Sequence, residues 1–106
     1  MKRGEVWWVD FESSLGSEIQ KTRPAVIVSN DTANVLLRRV VVVPITSNIS
    51  RLYPAEAYVN VRGKTNKALA DQIMTADKRR LKNQIGSLSP ADMIKVEAAI
   101  RLHLGL

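Results

Sequence analysis

The chain has 106 residues, 45% hydrophobic and 25% charged, with 16 Lys and Arg against 10 Asp and Glu, a net charge of +6 and no cysteine. That length reads as one domain, residues 1–106, with a core that buries only about two-thirds of the unfolded surface. The absence of cysteine excludes disulfides, thiolate zinc sites and cysteine nucleophiles. The basic balance favours a polyanion such as nucleic acid, or else an acidic protein partner. The opening Met1-Lys2-Arg3-Gly4-Glu5 is not followed by an apolar h-region, and no stretch approaches about 18 apolar residues, so the reading is cytoplasmic with no membrane partner.

Gly4 to Asp10 is rich in β-branched and aromatic residues and reads as a first strand. Trp7 and Trp8 are adjacent, so they point to opposite faces, one toward the core and one toward a second surface. Phe11 to Thr22 has Ser13, Ser14, Gly16 and Ser17 and little apolar pattern. It is a loop of about a dozen residues, either a lid or a plain connection. Gln20-Lys21-Thr22-Arg23 then meets Pro24 and an apolar run to Val28, which reads as a strand over Pro24–Ser29 buried on both faces. Pro24 suits the first position of a strand, which leaves Arg23 on the rim of a rigid sheet. There its fork-shaped cation serves either as a phosphate ligand or in an ordinary salt bridge.

Asn30 to Asn34 offers caps for a single helical turn through Val35 and Leu36. Arg38 to Ile45 is a strand whose Pro44 disturbs the ladder and brings Thr46 and Ser47 out on the rim. Ala55 to Val61 alternates, with Glu56, Tyr58 and Asn60 facing outward. Arg62 to Lys67 reads as a basic turn, Ala68 to Thr75 as a strand containing Asp71-Gln72, Asp77 to Lys82 as one basic helical turn, and Gln84 to Leu88 as a last strand. Lys78, Arg79, Arg80 and Lys82 then form a solvated basic face or help to steer a polyanion. Ser89-Pro90-Ala91-Asp92 starts a helix that runs to Leu104 and stops at Gly105, with Met93, Val96, Ile100 and Leu104 along one face.

The pattern predicts a mostly β fold with α content: about six short, mainly antiparallel strands curled into a small barrel or sheet, closed by a C-terminal helix. Two strands are apolar on both faces and only one substantial helix is available to cover them, so a homodimer is the economical way to hide the second face.

His103 is the only histidine, which removes any two-histidine acid–base pair within the chain. Scattered acids without metal-ligand spacing argue for no metal, and no phosphate loop, dinucleotide fingerprint or nucleophile elbow implies a cofactor. Arg, Lys, Thr, Ser and Asn on loops and strand rims remain. Such groups position a phosphodiester and stabilise its developing charge, and RNA supplies its own nucleophile in the 2′-hydroxyl.

Gly4-Glu5-Val6-Trp7, Gly16-x-Glu18-x-x-x-Thr22-Arg23-Pro24, Ser29-Asn30-Asp31, Val43-Pro44-Ile45-Thr46-Ser47 and Asp71-Gln72-Ile73 with Thr75 and Leu81 occur in order over nearly the whole chain. Together they resemble the MazF/PemK family of toxin endoribonucleases. The resemblance implies an SH3-like barrel with a C-terminal helix, a homodimer, and metal-independent cleavage of single-stranded RNA at short motifs, leaving 2′,3′-cyclic phosphate and 5′-hydroxyl ends. It also implies a cognate antitoxin whose tail occupies the RNA groove. By motif, Arg23 is the main catalytic residue, in proton transfer and on the phosphate, and Thr46 holds or polarises that phosphate. Gln20, Lys21, Ser47, Asn48 and Gln72 become RNA contacts and Asp71 a support. Two departures stand out: Ser17 where some members carry His, and Met74 where many carry Arg. A non-catalytic module binding RNA or an acidic tail, or a gyrase-binding toxin on the same barrel, is the alternative reading.

Overall fold

The computed structural model describes residues 1–12, 16 and 21–106. Its strands are β1 (Glu5–Asp10), β2 (Thr22–Ile27), β3 (Arg39–Thr46), β4 (Glu56–Val61), β5 (Lys64–Leu69), β6 (Met74–Asp77) and β7 (Leu81–Ser87). Helix α1 (Asp31–Leu36) follows β2, and α2 (Pro90–Leu104) follows β7. Short 3-10 turns, Ala70–Gln72 and Lys78–Arg80, flank β6. The sheet is antiparallel in the order β4-β5-β3-β2-β1-β7, with β6 also paired to β3. The expected mostly β architecture with a C-terminal helix is present.

Residues 62–75 differ from expectation. Only Arg62 and Gly63 turn, with φ of 52° and 83°, the left-handed pair that suits a two-residue hairpin between twisted strands. Lys64-Thr65-Asn66-Lys67, expected in a turn, pairs with β4 from Val61↔Lys64 to Tyr58↔Lys67. Its polar side chains hide a strand that backbone bonding creates. The strand expected at 68–75 is consequently divided by the turn at Ala70–Gln72.

β3 is the strand on which the sheet changes partner. One edge pairs with β6 from Arg39 to Val42 and with β5 at Ile45 and Thr46. Val43 and Pro44 fall between the two, so the changeover sits where proline has no N–H to donate.

Alternation along β3 feeds two cores. Val43 and Ile45 join Val6, Val26, Val59 and Ala68 under Met93 and Val96 of α2. Val40 and Val42 join Val9, Phe11, Ala25, Ile27, Ala76 and Leu81 within the curl of the sheet. Each fully buried Val or Ile contributes about 1.5–3 kcal/mol. The second apolar face of β2 and β3 is therefore covered by the chain itself, and its burial does not by itself require a second copy. Trp7 packs on the second core while Trp8 on the other face is exposed, the expected division.

Ser89 caps α2 by accepting from the Asp92 N–H, and Gly105, at φ 72°, ends it. The buried stripe is Met93, Val96 and Ala99, with Ile100 half-buried. Leu104 is exposed, so the apolar contact of the helix ends one turn earlier than its sequence spacing predicts.

The Asn30 side chain caps α1 by accepting from the Ala33 N–H at 2.9 Å. Asp31 accepts from the Arg3 N–H at 2.7 Å and from Asn34 Nδ2 at 3.2 Å. The Arg3 N–H, then the Asn34 amide, holds the Asp31 carboxyl below its ordinary value of 3.8. A depressed folded value means the unfolded chain binds more protons in that window. Asp31 thus adds stability that is complete above the unfolded value and is lost as pH falls through the folded one. Asp31→Asn is expected to flatten the acid limb of a plot of urea midpoint against pH below about pH 4. An unchanged acid limb would count against this role.

Candidate active site

Beyond Ala25 and Pro44, their last paired residues, β2 and β3 part. β2 stays with β1 through Val9↔Arg23 and Asp10↔Thr22, whereas β3 turns to β5 through Ile45↔Ala68 and Thr46↔Lys67. Arg23 and Thr46 each lie two residues past that last rung, one on each bank of the fork. Strand alternation puts both on the face carrying Ala25 and Pro44. Because β2 starts at Thr22 rather than at Pro24, Arg23 is held inside a strand. Pro24 is accommodated because β2 has no β3 partner at that level.

Arg23 is exposed. Among the described residues its side chain has no hydrogen-bond or ion-pair partner, while Arg3, Arg79 and Arg80 are engaged by Glu97, Asp77 and Glu12 at 2.7, 3.0 and 3.5 Å. Thr46 is half-buried, and its Oγ1 accepts the Asn48 N–H at 3.2 Å. A hydroxyl so engaged keeps its own O–H to donate. Ser47 and Asn48 are exposed beside it, and the Asn48 side-chain oxygen accepts from the N–H and hydroxyl of Ser50.

Lys21 is exposed with φ 64°, its N–H bonded to Glu12 O at 3.2 Å and its carbonyl accepting the Phe11 N–H at 3.0 Å. These bonds close the base of the β1–β2 loop next to Arg23. Gln20, Ser17 and most of that loop lie outside the described residues, so its reading as a lid or groove wall rests on sequence. Asp71 and Gln72 belong to the 3-10 turn on the edge of β3 opposite β2. The fork brings together Arg23, Thr46, Ser47, Asn48 and Lys21, while Asp71 and Gln72 follow β5, the strand whose Lys67 is paired with Thr46. Met74 is exposed opposite Val42, and by alternation shares the face of Thr46. The basic turn is tied into the fold: Lys78 donates to Asn34 O, Arg80 to Asp10 O at 3.1 Å and Lys82 to Arg79 O at 3.1 Å. Among the described residues no group of three His, Asp or Glu gathers to hold a metal, and no helix is long and apolar enough to cross a membrane.

Residues 2–104 match the family described as PemK-like, MazF-like toxin of type II toxin–antitoxin systems. The chain belongs to this family. Among curated relatives, endoribonuclease MazF9 of Mycobacterium tuberculosis is 40% identical, covering 100% of this chain and 98% of its own. Endoribonuclease MazF of Staphylococcus epidermidis is 37% identical over 100% of this chain and 92% of its own. In fold, a mycobacterial endoribonuclease in complex with its cognate antitoxin superposes with a TM-score of 0.85 at 30% identity, covering 100% of this chain and 96% of that one. MazF of Deinococcus radiodurans superposes at 0.87 with 24% identity, covering 100% and 97%.

Within this PemK/MazF-like fold, sequence reasoning missed a charged cluster beside Thr46. Lys67 is buried, pairs with Glu56 at 2.8 Å and donates to Arg51 O at 2.6 Å. Glu56 and Tyr58, expected to face solvent, are half-buried. The signal was Arg62-Gly63 as a two-residue hairpin turn, which moves Lys67 from a loop into the strand opposite Thr46.

Proposed function

We propose that this toxin-family chain is an endoribonuclease that cuts single-stranded RNA at short sequence motifs by 2′-hydroxyl attack, with no metal or cofactor in the chemistry. The observation that carries the reading is the fork at which Arg23, its side chain without a partner among the described residues, shares one sheet face with Thr46 across the gap between β2 and β3. The names of the relatives support the reaction class, and the net charge of +6 suits a polyanionic substrate.

In this reading Arg23 donates two N–H groups to the non-bridging oxygens of the scissile phosphate, and the Thr46 hydroxyl donates a third bond. The 2′-oxygen attacks phosphorus in line as the bond to the 5′-oxygen breaks. The 2′-hydroxyl proton passes to solvent, because a guanidinium is already protonated, and the leaving 5′-oxygen takes up a proton from water, so no net proton is consumed. A 2′,3′-cyclic phosphate and a 5′-hydroxyl remain. Catalysis comes from holding the reacting atoms in line and from donors fixed where negative charge accumulates. Lys21, Ser47, Asn48 and Gln20 contact the flanking RNA. Gln72 and Asp71 act from the turn between β5 and β6.

The physiological partner in this reading is a cognate antitoxin with an acidic tail that competes for the same basic face. A homodimer would bury the exposed Leu106, which lines a groove of about 590 Å³ with Val28, Val41, Ile73 and Ile100.

Incubation with a long RNA in EDTA, followed by mapping of 5′ ends, is expected to give discrete cuts with 5′-hydroxyl termini. A single 2′-deoxy substitution at the cut nucleotide should abolish that cut, since the nucleophile is gone. Intact RNA, or cleavage indifferent to the 2′-deoxy change, defeats the reading.

A further inference from the structure

The loop from Ser47 to Ala55 is unusually well fastened for an exposed connection. Three side chains of the β4–β5 hairpin hold its backbone at three points. Tyr58 Oη donates to Ile49 O at 3.1 Å, Lys67 Nζ donates to Arg51 O at 2.6 Å, and Glu56 Oε1 accepts the Tyr53 N–H at 2.9 Å. The Glu56–Lys67 pair at 2.8 Å links two of these anchors. Lys67 is itself the residue opposite Thr46 on β5, so the loop is fixed relative to the fork.

The fastening holds Tyr53 in place, yet Tyr53 is 53% exposed. Two cations attend it: Arg51 Cζ lies 5.4 Å from the ring centroid and Lys67 Nζ 5.6 Å. An aromatic ring left open to solvent on a pinned backbone is a stacking surface whose ordering entropy is already spent. The guanidinium over the ring offers its own outer plane for stacking and a positive charge for the neighbouring phosphate. Unpaired bases are recognised by stacking of this kind on aromatic rings and on Arg planes.

We infer that Tyr53, with Arg51, forms a nucleobase-stacking subsite beside Thr46, held in register with the fork by the Glu56–Lys67 pair. This rests on the proposed ribonuclease reading and deepens it. The ligand is one unpaired base of single-stranded RNA flanking the scissile phosphate. Tyr53 touches the base rather than the reacting atoms, so it sets which RNA is held and leaves the chemistry to Arg23 and Thr46.

The test is steady-state cleavage of a single-stranded oligoribonucleotide containing the mapped cut site, together with cut-site mapping on a long RNA, for full-length wild type, Tyr53→Ala and Tyr53→Phe. Circular dichroism on each checks the fold. Stacking is worth about 1–3 kcal/mol per base, so Tyr53→Ala is expected to raise KM by roughly 5- to 150-fold with kcat within about threefold. It should also relax preference at one nucleotide position near the cut, while Tyr53→Phe, which keeps the ring, retains both KM and preference. Wild-type KM and preference in a folded Tyr53→Ala overturn the subsite and leave the ribonuclease reading standing. A wild-type protein that neither binds nor cuts single-stranded RNA overturns both.

Discussion

Replacing Arg23 by Ala is expected to lower the single-turnover rate of RNA cleavage by about 10²–10³-fold, the usual effect of removing one fixed donor from a developing oxyanion. Arg23 is exposed and lacks a partner among the described residues, so the truncation removes no packing and breaks no bond there. Circular dichroism and the thermal midpoint should match wild type. Arg23→Lys keeps the charge but replaces a rigid fork by a single ammonium, so it is expected to recover only part of the loss. The loss should appear in kcat more than in KM, because the donors are aimed at charge that grows in the transition state. A folded Arg23→Ala that cuts at the wild-type rate would remove Arg23 from the chemistry and leave the fork as a binding feature only.

Glu56→Ala is expected to produce the largest stability loss among the charged residues. The side chains of Lys67 and Glu56 are only 8% and 11% exposed, and removing one partner of a buried pair leaves the other charge uncompensated, at a cost of about 3 kcal/mol. For a domain of this size that lowers the thermal midpoint by roughly 12 °C or more. The Tyr53 N–H loses its acceptor as well. Glu56→Leu combined with Lys67→Met removes both charges together and should restore much of the midpoint, since apolar groups of similar volume often replace a buried pair at little cost. If Glu56→Ala melts at the wild-type temperature, the pair is a solvated contact rather than an anchor.

Much of the fold was legible because local chemistry and burial agree there. Ser89, Pro90 and Gly105 mark α2 by capping that the structure reproduces. Asn30 and Asp31 start α1 and tie it to Arg3, which gives that motif a structural use. Val40 to Val43 read as the centre of a strand apolar on both faces, and Val40, Val42 and Val43 are buried while Val41 is half-buried. Which layer covers the second face was not legible, because the curl of a sheet depends on distant pairings. Lys64 to Lys67 were read as a turn because a polar run carries no alternation, and only cross-strand bonds to β4 make it β. At the candidate site, Arg23 and Thr46 were found from their strand ends and from resemblance. Their placement on opposite banks of one fork required the register of three strands. Lys67 stayed hidden because a buried lysine is rare unless paired, and its partner Glu56 looked like the outward residue of an alternating strand.

The divergence of β2 and β3 beyond Ala25 and Pro44 bears on how a long polymer gets in and out. No rung of the β2–β3 ladder spans the space between Arg23 and Thr46, so its width can change by bending the two strand ends alone. The rungs at Val26–Val43 and Ile27–Val42 stay closed beneath it. In the proposed reading an RNA strand would therefore enter from the side, anywhere along its length, without threading an end. The two cut pieces would depart in the same direction while both cores remain shut.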